Sequence, residues 1–314
     1  MTTPIPATLG VYSNEENFLH QVHANPSYPK RIDLQGSPIS FLVHSWIGVH
    51  HPTLQPHLYE LVERIRHISH EDFLVALNAS LENALSQLNE CYGREFIPSK
   101  DAIVLVEGTK SNKWVAELAL KQGDFLPTYY FRLGDKEAKN FSEFCSRLKD
   151  KDLMDLQKDF DNKTIVLFDD GSYSGRQLTG HVLGIANTIC KFELFVKIIC
   201  VVVPFMTTHA KQEIQQAMDH LKEHPQLIIA EHSRIETLAD LPEEAQSAMM
   251  IAWYLNQTCN PNCIGLTWFD HKCPNSESFP KPLLNASVYN PDGSASTKIF
   301  QGKFFEDIIP PYKF

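Results

Sequence analysis

Asp169 and Asp170 stand side by side at the end of the apolar run Thr164-Ile-Val-Leu-Phe168. Gly171, Ser172, Tyr173, Ser174 and Gly175 follow, and Arg176-Gln177-Leu178 opens an amphipathic stretch. A short apolar run bounded by turn residues predicts a strand buried on both faces. A helix beginning directly after the turn presents free N–H groups and the positive end of its dipole. The Ser172 and Ser174 hydroxyls add donors, Gly171 and Gly175 let backbone approach closely, and Arg176 adds a charge. One side of the turn therefore suits a phosphate. The paired carboxylates suit vicinal hydroxyls or a hydrated Mg²⁺, and a sugar phosphate meets both demands. The competing reading is an ordinary strand-end turn at Asp170-Gly171. The unbroken succession of apolar strand, double acid, small loop and helix favours the binding reading.

The stretch resembles the phosphoribosyl pyrophosphate loop of the type I phosphoribosyltransferases. There, four apolar residues, two acidic residues and three variable ones precede Thr-Gly-x-Thr. The resemblance implies that Asp169 and Asp170 hold the ribose 2- and 3-hydroxyls, and makes them the expected Mg²⁺-side acids. It implies that Ser174 and Gly175 hold the 5-phosphate, with Gly171, Ser172, Arg176 and Gln177 completing the cradle. Tyr173 takes the position where many members carry an Asp that acts as a base, Gln177 replaces the second Thr, and Arg176 is bulkier than usual. In that family the loop after the first core strand binds pyrophosphate. Here Ala102-Ile-Val-Leu-Val106 leads into Glu107-Gly-Thr-Lys-Ser-Asn-Lys113. Gly108, Thr109, Lys110, Ser111 and Lys113 fit that task, lysine being a common point charge for phosphate; plain surface lysines are the alternative. The resemblance also implies a catalytic lid, at Arg132 to Asp161 with Arg132 and Lys136 near its start. It implies an acceptor hood as well, with Asp270, His271 and Lys272 as candidates.

The implied protein binds phosphoribosyl pyrophosphate or a related ribose 5-phosphate compound with Mg²⁺. It would transfer the phosphoribosyl group to a nitrogen acceptor. The departures at Tyr173 and Gln177 also motivate a noncatalytic or regulatory module that keeps the fold and the phosphate site. A third option is a partner-binding protein acting through residues 1–94 and the tail. Two other signatures are rejected. Adjacent acids do not fit the haloacid-dehalogenase phosphatases, whose nucleophile and acid Asp lie two residues apart. Gly171-Ser-Tyr-Ser-Gly175 has Tyr where a nucleophile elbow needs Ser. Cys259, Cys263, His271 and Cys273 match no common zinc spacing. Reduced, unligated thiols are expected from seven scattered cysteines.

These residues need elements to hold them. Ala102–Val106, Thr128–Arg132, Thr164–Phe168, Phe195–Val203 and Leu227–Ala230 predict strands. Stretches near 114–120, 141–156, 178–189 and 208–221 predict helices between them. Alternating strands and helices predict an α/β fold, a parallel sheet flanked by helices; the resemblance makes it phosphoribosyltransferase-like, with a small hood. His57 to Glu90 reads as helical, with Ser69 as a cap, and Leu266–Lys272 as a late strand. The expected organisation is a helical and irregular N-terminal extension over 1–94, the α/β core with hood over 95–280, and a loop-like tail over 281–314.

The 314 residues carry 28 basic against 38 acidic side chains, a net charge of −10. That balance argues against a nucleic-acid partner. The longest apolar run, Ile198 to Met206, is far below the ~20 residues of a membrane helix, and residues 1–7 lack a signal-peptide pattern. A cytoplasmic protein is expected, with a small-molecule phosphoribosyl substrate, a homodimer as its candidate assembly, and no membrane partner.

Overall fold

The computed structural model describes residues 47, 52–107, 111–122, 125–133, 138–221, 224–252, 260–269, 287–289 and 295–298. The chain divides into two compact units: Met1–Asp72 together with Glu236–Phe314, and Phe73–Ile235.

In the first unit, α1 (Gln55–Arg64) packs on α9 (Glu243–Ala252). Strand β1 (Arg66–Ile68) pairs in parallel with β10 (Thr267–Phe269). The expected continuous helical stretch from His57 is thus broken by a strand. Its partner lies some 200 residues away, so local periodicity carries no sign of it. By the same pairing the late strand joins β1 rather than the central sheet. The expected loop-like tail contains an antiparallel pair, β11 (Ser287–Tyr289) with β12 (Ala295–Lys298).

The second unit is an α/β structure. Five strands form one sheet: β2 (Ala102–Glu107), β3 (Tyr129–Leu133), β4 (Thr164–Phe168), β6 (Ile198–Val202) and β8 (Gln226–Ala230). Their order is β3-β2-β4-β6-β8, and every neighbouring pair is parallel. All five residues of β4 and of β6 are buried, which is why these strands read as unbroken apolar runs. Along β2, β4 and β6, Ile103, Leu105, Ile165, Leu167, Ile199 and Val201 share one core cluster. The same cluster takes in residues of α5 (Phe141–Arg147), α6 (Asp150–Phe160), α7 (Arg176–Lys191) and α8 (Thr208–Asp219). Also in this unit are α3 (Pro98–Asp101), α4 (Ser111–Gln122), which packs on β2 and β4, and α2 (His70–Tyr92) from Phe73 onward.

Ser69 caps α2, its hydroxyl accepting the Asp72 N–H at 3.1 Å and donating to the Asp72 carboxylate at 2.9 Å. Phe73, Leu77, Leu81 and Leu88 are buried along the helix. Phe73 meets Trp114 of α4 at 5.3 Å between ring centroids and Phe205 at 6.2 Å. These contacts put most of α2 in the α/β unit, where 1–94 was expected to be a separate extension. Residues 236 onward group with the N-terminal residues instead of with the core.

The expected lid is also corrected. Residues 141–147 and 150–160 form α5 and α6, separated at Leu148-Lys149, and both helices send side chains into the core: Phe141 and Cys145 from α5, Leu156 and Phe160 from α6. Phe141 and Phe160 are fully buried and stacked at 5.6 Å, and Phe131 lies 5.7 Å from Phe160. A lid must open cheaply. Exposing either phenylalanine costs roughly 1.5–3 kcal/mol. Lys136 lies outside the described residues.

Among the described residues, no helix is long and apolar enough to cross a membrane.

Candidate functional site

The strand order reverses between β2 and β4. From β2 the chain moves outward to β3, returns to β4, and then proceeds through β6 to β8. Ligands of open α/β sheets bind outside the carboxyl ends of the strands at such a switch point. The hydrogen-bond ladders mark the same place. β2 stays paired with β3 as far as Glu107–Leu133, and β4 with β6 as far as Phe168–Val202. Between β2 and β4 the pairing stops at Val104–Val166. The two central strands therefore part toward their carboxyl ends.

A crevice occupies the gap, lined by Leu105, Leu167, Phe168, Leu178, Asn112 and His181. Successive residues of a strand face opposite sides of the sheet. Leu105, Leu167 and Leu178 belong to the cluster that includes α7, while the Phe168 ring packs edge-on against Phe125 at 6.1 Å. Residues facing both sides of the sheet thus contribute to the wall of the crevice.

Directly beyond Phe168 come the two acids. Asp169 is 7% exposed and Asp170 1%, so neither lies open to solvent. One Asp169 carboxylate oxygen accepts the Asp170 N–H at 2.9 Å, and one Asp170 oxygen accepts the Gly171 N–H at 2.9 Å. The Asp169 N–H donates to the Val202 carbonyl at 3.1 Å, which fixes the turn against β6.

The following residues were expected to form an open polar loop. Instead β5 (Gly171–Ser172) pairs with β7 (Phe205–Met206), and β7 with β9 (Ser233–Arg234). This small parallel sheet continues the chain beyond the edge of the large one. Its backbone is committed: the Ser172 carbonyl accepts from Thr207 N–H at 3.0 Å, and the Tyr173 carbonyl from the Thr207 hydroxyl at 2.5 Å. Ser172 and Tyr173 are buried, so neither side chain forms part of an open cradle. Gly175 has φ +76° at the start of α7, and a Cβ there would stand 2.9 Å from the Ala210 Cα and carbonyl oxygen. The close approach of α8 demands this glycine; a ligand is not needed to explain it.

Ser174 is half-buried, and Arg176 and Gln177 are exposed in the first turn of α7. That turn has no side-chain cap and no acid, and carries a cation at its first position. A positive charge at the positive end of the helix dipole is unfavourable unless an anion offsets it. The first turns of α4 and α8 also lack acids. Parallel strands bring all three turns to the carboxyl edge of the sheet.

Lys113, on α4, is 4.0 Å from Glu117 of the same helix, which answers part of its charge. Ser111 is the first residue of α4, and Arg132 pairs with Val106 across β3 and β2. Gly108, Thr109 and Lys110 lie outside the described residues, as do Asp270, His271 and Lys272 of the expected hood, and Cys259, His271 and Cys273. Asn112 and His181 were not anticipated. Asn112 lay within the Glu107–Lys113 stretch and needed only the switch-point position to stand out. His181 sits one turn further along α7, with no local pattern to distinguish it. No group of three or more His, Cys, Asp or Glu is gathered among the described residues. Mg²⁺ characteristically uses one or two carboxylates and fills its shell with water and ligand oxygens, so the acid pair suits that mode by donor type. Burial pushes the Cys145 and Cys200 thiols up to about 12, so neither supplies a thiolate nucleophile at neutral pH.

No family model matches the chain, and no curated protein does. Among solved structures, it is similar to a hypothetical protein from Neisseria gonorrhoeae crystallised with bound ppGpp. The two are 12% identical, with a TM-score of 0.30 over 58% of this chain and 94% of that one, a likeness too distant to bear on function.

Proposed function

We propose that the chain is a phosphoribosyltransferase-like protein that binds phosphoribosyl pyrophosphate, or a related ribose 5-phosphate compound, together with Mg²⁺. One observation carries the reading: the sheet opens at its switch point, and the strand on one side of the opening ends in Asp169 and Asp170. In this reading the acids hold the ribose. Ser174, Arg176, Gln177 and the first turn of α7 hold the 5-phosphate. The loop from Gly108 through Lys113 takes the pyrophosphate. Mg²⁺, when bound, would neutralise phosphate charge beside the acids. Displacement of pyrophosphate by a nitrogen acceptor then needs positioning and electrostatics, with no protein nucleophile. The test is calorimetric titration of phosphoribosyl pyrophosphate with Mg²⁺ into the wild type and into Asp169→Asn/Asp170→Asn. Binding by the wild type and its loss in the double variant are expected. No heat in the wild type, or equal affinity in both, overturns the reading.

A specific observation favours binding without transfer as the second reading. Tyr173, which takes the base position of the resemblance, is 8% exposed. A screen of purines, pyrimidines and orotate for pyrophosphate release separates the two. Turnover with any of them removes the noncatalytic reading.

A further inference from the structure

Thr207 grips the turn that follows the acid pair. It is fully buried between β7 and α8. Its N–H donates to the Ser172 carbonyl at 3.0 Å, and its hydroxyl donates to the Tyr173 carbonyl at 2.5 Å. The same hydroxyl accepts the Ala210 N–H at 3.0 Å. Successive carbonyls of an extended strand point to opposite sides. Here two in a row face one residue, so the chain leaves the strand at Tyr173. A trans peptide sets its N–H opposite its carbonyl. The Tyr173 carbonyl and the Ser174 N–H share one peptide unit, so the Ser174 N–H points away from Thr207. Among the described residues it has no acceptor. Where it points follows from the topology. The small sheet runs β5-β7-β9, in the same lateral order as β4-β6-β8, the strands that lead into it. β5 is therefore its edge strand on the side of β2, where the switch point lies. Directed away from β7, the Ser174 N–H faces that side.

Resting on the ribose phosphate reading above, we infer that Thr207 is a positioning residue, which turns the Ser174 N–H toward the phosphate of a bound ribose 5-phosphate. Thr207 itself touches no ligand. Its grip orients the peptide before the ligand arrives, so binding does not have to order it. A backbone N–H bonded to a charged oxygen is stronger than a neutral pair. Misdirecting it therefore weakens phosphate binding. Without the hydroxyl, the Tyr173–Ser174 peptide loses the bond that sets its plane. Thr207→Val keeps the shape of the side chain and loses that donor, whereas Thr207→Ser keeps the donor.

The experiment titrates ribose 5-phosphate with Mg²⁺ into the full chain and its variants, at a temperature where melting curves show each to be folded. Thr207→Val is expected to bind about tenfold more weakly than the wild type, and Thr207→Ser to stay close to it. A merely structural role would act through stability alone. Asp101→Asn, which removes the charge paired with Arg94 just before β2, is the destabilised control and should keep the wild-type affinity. If Thr207→Val does not fold, Thr207→Ala decides in its place. A valine variant that binds like the wild type overturns the positioning role. So does a serine variant as weak as the valine one, or an equal loss of affinity in Asp101→Asn. In each case the ribose phosphate reading stands. A wild type that does not bind ribose 5-phosphate overturns that reading, and this inference with it.

Discussion

Gly175 separates two explanations of the same residue. As part of a phosphate cradle it is small so that a ligand can approach. In the structure it is small because α8 already does: an added Cβ meets the Ala210 Cα and carbonyl oxygen at 2.9 Å and the Glu213 Cβ at 3.2 Å. The backbone there is left-handed, at φ +76°, which costs a residue with a Cβ roughly 1–2 kcal/mol. Forcing a methyl against backbone that cannot swing aside adds roughly 1–3 kcal/mol. Gly175→Ala should therefore lose about 2–5 kcal/mol in the absence of any ligand, near 10 °C of melting temperature on the order of 2–4 °C per kcal/mol. Gly180 and Gly184 provide the internal control. They lie in the same helix, and an added Cβ meets nothing within 4 Å at either. Alanine at each should instead stabilise by about 0.5–1 kcal/mol, because glycine carries excess chain entropy in the unfolded state. The assay is denaturant and thermal unfolding followed by far-UV circular dichroism, without ligand. A Gly175→Ala protein as stable as the wild type refutes the packing argument. If that variant also lost ribose 5-phosphate binding, the glycine would belong to the ligand.

Three further outcomes follow from the structure. Arg94 forks onto Asp101 with two bonds of 2.8 Å, and the Ile97 N–H donates to the same carboxylate at 2.9 Å. The Arg94 hydrogen bonds, foremost, hold the Asp101 carboxyl below its ordinary 3.8. A depressed carboxyl stabilises the fold above its unfolded-state value and ceases to do so as pH falls through the folded one. Asp101→Asn should cost about 2 kcal/mol at neutral pH, and melting curves of variant and wild type should converge as pH drops below roughly 4. A gap that does not change with pH would show that the charge is not responsible. Thr207 accepts the Ala210 N–H at 3.0 Å as the cap of α8 and donates to the Tyr173 carbonyl. Thr207→Val removes both bonds and should destabilise by about 1–2 kcal/mol in urea unfolding, whereas an unchanged midpoint would mean neither bond matters. The Ser80 hydroxyl is buried on α2 with no hydrogen-bond partner among the described residues. Ser80→Ala should accordingly be neutral or raise stability by up to about 1 kcal/mol, and a clear loss would reveal a partner.

The centre of the sheet was legible because β2, β4 and β6 are buried on both faces. Ala102–Val106, Thr164–Phe168 and Leu227–Ala230 are apolar without interruption, and all fall within observed strands. The helix after the acid pair and the Ser69 cap were likewise written in local chemistry. Long-range pairing was not legible. Arg66-His67-Ile68 is too short and too mixed to announce a strand, and only its partner at Thr267–Phe269 makes it one. Gly171-Ser172 looked like loop because its small polar residues suit one, yet β7 recruits its backbone.

By itself, then, the sequence determined which side-chain types stand together in the chain: an acid pair at a strand end, small residues after it, and a cation at the start of the next helix. Such features depend on neighbours within a few positions. Tertiary structure decided how open those residues are and what stands beside them. It seated Tyr173 among buried side chains, assigned Gly175 to the approach of Ala210, and anchored the expected lid in the core through Phe141, Cys145, Leu156 and Phe160. It also drew Asn112 and His181 to the gap between β2 and β4. The physical reason is that burial and close contact are set by elements far apart along the chain, whose juxtaposition no local pattern encodes.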